Sequence, residues 1–262
     1  MGGKPTRAPE TRSTAENRKR AHSGLERTLA FIISLMDPEF SKFVDAANDI
    51  RTSGRWTAVN AAVERLAGNP GVDNGWYVQV FGGLCFQVFS EYLSLTRAHE
   101  NKREGDSSLL AWRARNLLEL SVWSIYCSNG RENARRLYED AGRDVLDVFS
   151  AFSNWGVTTT QTEDWIERFA HAKEDLRKRA KTEGIESLDG PYKQVNKAAV
   201  ECGMGDDFRV SYKMLSKFAH PTAMQILAST DEEKQSLQRG LFYGKGCLYF
   251  GGAFEALERV LV

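Results

Sequence analysis

Apolar residues recur along this chain at helical intervals almost from end to end, and no sustained alternating pattern marks a strand. Residues 1–22 are polar and lack periodicity, so they read as a disordered basic arm ahead of a single helical domain over 23–262. An apolar stripe from Leu25 to Met36 stops at Asp37-Pro38, and proline then opens a helix running to about Ile50. Further helices are predicted over Thr57–Leu66, Asp73–Ala98, Asp106–Asn129, Arg131–Phe152, Trp165–Lys181, Pro191–Cys202, Asp206–Ala219 and Asp231–Val262. Gly82-Gly83 suggests a bend or a close helix approach, and Gly240, Gly244-Lys245-Gly246 and Gly251-Gly252 suggest breaks in the last helix. With no internal repeat, the fold class is all-α, a multi-helix bundle.

One helix is unusual. From Leu117 to Cys127 apolar side chains fall on nearly every face, and Glu119 is the only charge, so the segment reads as buried all round. A carboxylate there needs a partner, and Arg115 stands one turn back at the spacing that brings the two together. A second polar set lies on the helix ending at His220-Pro221. Tyr212, Ser216 and His220 are spaced i, i+4, i+8 and share one side, with Lys213 and Lys217 interleaved. The helix C-terminus favours the imidazolium form of His220, and Pro221 forces an extended exit. A histidine so placed suits proton transfer, although a helix-end cap is the simpler role.

Composition adds limits. The chain has 262 residues with 35 basic and 35 acidic side chains, so no overall charge draws it to nucleic acid or membrane. No apolar run approaches the ~18 residues that cross a bilayer. Cys85, Cys127, Cys202 and Cys247 form no CxxC, and are expected to be reduced residues of a cytoplasmic protein. The start, Met1-Gly2-Gly3-Lys4-Pro5-Thr6, fits the loose myristoylation template, but that template is short and matches by chance often, so a solvated basic arm is the expected reading. The four histidines are scattered, without a Glu-x-x-His pair, and no phosphate-cradling Gly-x4-Gly-Lys-Ser/Thr or Gly-x-Ser-x-Gly elbow is present. No metal or cofactor is expected. Arg168, Lys173, Arg177, Lys178, Arg179 and Lys181 alternate with acids, as on a solvated face. Arg131, Arg135, Arg136 and Arg143 follow the Glu119 helix directly, and Arg135 is counted as a candidate substrate-binding residue. Trp112, Trp123, Tyr126 and Trp155 offer stacking surfaces for bases, with core filling the simpler expectation.

Arg115-x3-Glu119 together with Tyr212-x2-Leu215-Ser216-x3-His220-Pro221 resembles a family of uncharacterised bacterial all-helical proteins. That family is distantly like the HEPN (higher eukaryotes and prokaryotes nucleotide-binding) helical domains, and the resemblance spans about residues 75–260. It implies an all-helical fold with Arg115, Glu119, Tyr212, Ser216 and His220 as the marked polar positions. Many HEPN domains are metal-independent endoribonucleases of toxin or phage-defence systems. Their arginine is followed by four to six residues and then a histidine, and the site is usually doubled across a symmetric dimer. Here that spacing holds only Lys213, and the nearest upstream arginine is Arg209. The resemblance therefore implies His220, Glu119 and Arg115 as candidate catalytic residues, with Tyr212, Lys213, Ser216, Lys217 and Arg135 contacting an RNA or nucleotide partner. A homodimer and no membrane partner are implied as well. The alternative is a non-catalytic nucleotide-binding or protein-interaction module in which the same residues form a structural network.

Overall fold

In a computed structural model the residues described are 37–68, 75–101, 107–158, 163–220, 222 and 232–262. The basic arm, the Leu25–Met36 stripe and the myristoylation pattern lie outside them. Among the described residues there are nine α-helices and no strand: α1 (Asp37–Thr52), α2 (Arg55–Ala67), α3 (Gly75–Glu100), α4 (Ser107–Ser128), α5 (Arg131–Thr158), α6 (Glu163–Thr182), α7 (Val195–Glu201), α8 (Gly205–Ala219) and α9 (Glu232–Leu261).

The centre of the bundle is the pairing of α4 with α9, which run together over much of their lengths. Helices α1, α2 and α3 also lie against α9, while α8 and the short α7 cover α4. Aromatic residues fill the space between α2, α3 and α9. Tyr92 of α3 stacks on Phe250 of α9 at 3.9 Å, and Trp56 of α2 stacks on Phe89 of α3 at 3.7 Å. Phe81, Leu95, Leu110, Leu117, Phe242, Phe254 and Leu257 are almost wholly buried, and each such side chain contributes about 1.5–3 kcal/mol of burial free energy.

The glycines of α9 do not break it. The helix is continuous over 30 residues, and two of its glycines, Gly244 and Gly246, mark where neighbours come closest. A Cβ at Gly244 would stand 2.8 Å from the Phe40 ring, and one at Gly246 only 2.3 Å from Leu95 Cδ2. Close packing, not chain flexibility, selects glycine there. Likewise α3 passes through Gly82-Gly83 without interruption, and a Cβ at Gly82 would meet Val63 of α2 at 3.4 Å. Two other boundaries differ from expectation. Helix α5 continues to Thr158, and α7 begins at Val195 instead of Pro191. The late start has a cause: the Lys193 N–H donates to Asp140 Oδ2 at 2.7 Å, which holds the segment before α7 against α5 instead of in a helical turn. Asp140 is buried and also receives Arg143 Nη1 at 2.5 Å, while Arg143 Nη2 donates to the Ser187 carbonyl at 3.2 Å.

Helices α5 and α6 form a hairpin, and the main partner of α6 is α5. A separate small core of Leu146, Ala180, Ile185 and Leu188 fastens its base. Among the described residues no helix is long and apolar enough to cross a membrane.

Candidate functional site

Helix α8 is strongly amphipathic. Phe208, Ser211, Leu215 and Phe218 recur at three- and four-residue steps and are buried, which turns α8 onto α4 and sets Tyr212 and Ser216 on the flank of the contact. Asp206 and Asp207 occupy the first turn, where the helix dipole favours them. At the other end His220 adopts φ −117°, ψ 152°, the extended conformation that a following proline demands. The exit is fixed by Thr222, whose N–H donates to the His220 carbonyl at 2.7 Å and whose hydroxyl donates to the Lys217 carbonyl at 2.9 Å.

The polar residues of α4 divide between two neighbours. Arg113 Nη1 and Asn116 Nδ2 donate to the Glu91 carboxylate of α3 at 2.9 and 3.1 Å. Arg115 points the other way, to α8. Its Nε donates to Glu119 Oε1 at 3.2 Å, Nη1 to His220 Nε2 at 2.7 Å and Nη2 to the Tyr212 hydroxyl at 2.6 Å. The guanidinium carbon also lies 4.6 Å from the Tyr212 ring centroid, and the Phe208 ring stacks on Tyr212 at 5.2 Å. Arg115 is thus the hub at which four of the five marked residues meet. The fifth, Ser216, has a hydroxyl shut off from solvent that finds no hydrogen-bond partner among the described residues.

Arginine can only donate, so His220 Nε2 is the acceptor in this contact. His220 is exposed, and the Arg115 and Glu119 side chains are 20 % and 32 % exposed, so the hub opens at the surface. This corrects the expectation of a helix buried all round. Leu117, Leu118, Ser121 and Val122 are buried, but Glu119, Leu120 and Trp123 lie at the margin, which lets Glu119 keep its charge partly in water.

Beside the hub a groove of about 1100 Å³ runs between α7 and α8, lined by Gln194, Val195, Lys197, Phe208, Tyr212 and Lys213 among others. Tyr212 belongs to both the groove and the hub. Lys213 and Lys217 are exposed on α8. Gln194 and Lys197 escaped the sequence analysis because α7 spans only seven residues, too few to show a periodic face.

Arg135 is not at the hub. It sits on α5, donating from Nε to Glu139 at 3.3 Å and from Nη2 to the Glu183 carbonyl at 2.6 Å, with its guanidinium 5.4 Å from the Trp76 ring. That cleft, about 740 Å³, is walled by α3, α5 and the end of α6. Burial and the neighbouring Glu183 carboxylate push the Tyr138 hydroxyl there up to about 12. Arg135 follows α4 closely in sequence, but the turn at Asn129-Gly130 carries α5 away from α8. The aromatics also divide. Tyr126 is buried in the core and Trp123 packs against its edge, whereas Trp112 and Trp155 are exposed. All four cysteines are free thiols. Among the described residues no group of three His, Cys, Asp or Glu side chains stands close enough to hold a metal.

Fold and site together define an all-α bundle protein with an arginine-centred polar cluster at the junction of two helices. Residues 83–237, more than half of the chain and every hub residue, match the family of unknown function DUF5677, and the chain belongs to that family. No curated protein matches the chain. No solved structure matches it either.

Proposed function

We propose that the hub is the active site of a HEPN-like, metal-independent endoribonuclease working in the cytoplasm, in a toxin or phage-defence role. The observation that carries this reading is the 2.7 Å contact of Arg115 Nη1 with His220 Nε2 at an exposed helix end. The arginine that the HEPN spacing lacks upstream of the histidine is supplied from a second helix. Three of the five guanidinium N–H groups serve Glu119, His220 and Tyr212, and an RNA phosphodiester takes up the remaining donors and competes for Nη1. Releasing Nε2 frees its lone pair to remove the 2′-hydroxyl proton. The 2′-oxygen then attacks phosphorus, the 5′-oxygen departs with that proton, and a 2′,3′-cyclic phosphate remains. Glu119 and Tyr212 set the plane of the guanidinium; Lys213, Lys217 and the groove follow the strand. Two copies would pair in a homodimer, as the resemblance implies.

A specific observation favours a second reading. Arg115 is largely buried and ties α4 to α8 through Tyr212, which suits a brace in a non-catalytic nucleotide-binding or protein-interaction module. The two readings separate in a cleavage assay on single-stranded RNA in excess chelator, with wild type, His220→Ala and Arg115→Lys. Cyclic-phosphate ends formed by the wild type and lost in both variants support catalysis. Equal cleavage by wild type and His220→Ala, or none by the wild type, sinks it.

A further inference from the structure

The outer half of α5 carries an exposed apolar seam. Val145, Val148, Phe152 and Trp155 are 42, 51, 45 and 50 % exposed. Their spacing of three, four and three residues is the a/d repeat with which one helix packs along another. Across the hairpin, Phe169 of α6 stacks on Phe152 at 5.6 Å and meets Trp165, itself 37 % exposed, at 5.2 Å. The five exposed side chains present roughly 400 Å² of contiguous apolar surface, a patch size that on monomers usually marks a contact site.

We infer that this seam is the interface between two copies of the chain, paired antiparallel about a two-fold axis at Ser150. The spacing is self-complementary in that register: Val145 faces the partner's Trp155 and Val148 faces the partner's Phe152. Each small side chain meets a large one, so the layers have equal volume. A parallel pairing would set tryptophan on tryptophan and valine on valine and leave the layers uneven. Charge agrees. From Leu146 to Trp155 the only charged residue is Asp147, and the antiparallel register sets it across from the partner's Ser153, so no like charges meet. Two copies together remove roughly 800 Å² of apolar surface from water. With a polar rim the contact reaches the ~1,000 Å² of a specific interface.

The seam begins 14 residues, about 21 Å, beyond the start of α5. None of the hub residues lies on α5: Arg115 and Glu119 belong to α4, Tyr212 and Ser216 to α8, and His220 to the cap of α8. The interface is therefore made of other residues than the Arg115–His220 site, and it stands whether or not that site cleaves RNA.

Sedimentation equilibrium on the full chain tests the inference, with far-UV circular dichroism confirming that each variant keeps its helices. The wild type is expected to dimerise below about 100 µM. Val148→Lys, which buries two uncompensated charges in the seam, is expected to weaken the dimer at least ~100-fold. Adding Phe152→Glu sets each lysine against the partner's glutamate and is expected to restore most of that loss. A wild type that stays monomeric, whatever else covers the seam, overturns the inference, as does a dimer indifferent to Val148→Lys. A double variant as monomeric as the single one overturns the antiparallel register.

Discussion

Arg115 of α4 and His220 at the end of α8 are 105 residues apart in sequence and 2.7 Å apart in the fold, guanidinium nitrogen to imidazole nitrogen. The two partners stand in unequal positions. Arg115 is held on three sides and mostly covered, while His220 is exposed and held on one. Changing either should therefore have different consequences. Arg115→Ala leaves Glu119, Tyr212 and His220 without their common donor and opens space beneath the Tyr212 ring. It is expected to cost about 1–3 kcal/mol in urea unfolding. His220→Ala, at an exposed helix end, is expected to cost no more than ~1 kcal/mol, so loss of RNA cleavage in that variant reports on chemistry and not on folding. Equal destabilisation by both would make the contact a brace.

Glu119 gives a second test. A fully buried partner of Arg115 would make Glu119→Gln cost more than ~1 kcal/mol, as the apolar run around it suggests. With its side chain 32 % exposed and a single 3.2 Å contact to Nε, the pair is instead solvent-screened. The expected cost is below ~1 kcal/mol and shrinks in high salt. A larger, salt-independent loss in the unfolding midpoint would mean that the carboxylate bears on the rest of the hub.

What was legible in the sequence follows physical lines. Helix positions could be read because period and capping are local, and Arg115, Glu119, Tyr212 and His220 stood out because helical spacing puts polar groups on one side. Their meeting could not be derived from periodicity, since it depends on how α8 crosses α4. Arg135 was misplaced for the same reason: closeness in sequence to α4 says nothing about the direction in which α5 leaves the turn. The glycines of α9 misled because a glycine that permits a bend and one that admits a neighbour's side chain look identical in sequence.

The link between α2 and α9 should titrate. Arg55 donates to both Glu258 oxygens, at 2.9 and 2.5 Å, and this hydrogen bonding holds the Glu258 carboxyl below its ordinary value of 4.5. Because the folded-state value is depressed, the stabilisation is present above pH 4.5 and lost as pH falls through the lower folded value. Both side chains are partly in water, at 37 % and 27 % exposure, so the effect is at most about 1 kcal/mol. Stability measured from pH 6 to pH 3 should fall less steeply in Glu258→Gln than in wild type. Parallel curves would mean that the pair adds nothing.

The glycines of α9 should respond to alanine with opposite signs. A Cβ at Gly240, an exposed position inside the helix, meets nothing within 4 Å. Gly240→Ala therefore gains helix propensity and is expected to stabilise by about 0.5–1 kcal/mol. At Gly246 the same gain is available, but the new methyl lands 2.3 Å from Leu95 Cδ2 in the fully packed centre of the bundle. Leu95 would have to leave its rotamer or α9 would have to move off α3, costing about 1–3 kcal/mol and outweighing the propensity. Thermal melts of the two variants should shift in opposite directions from the wild type. If Gly246→Ala melts as high as Gly240→Ala, then α9 does not press against α3 there, and glycine at that position serves something other than close packing.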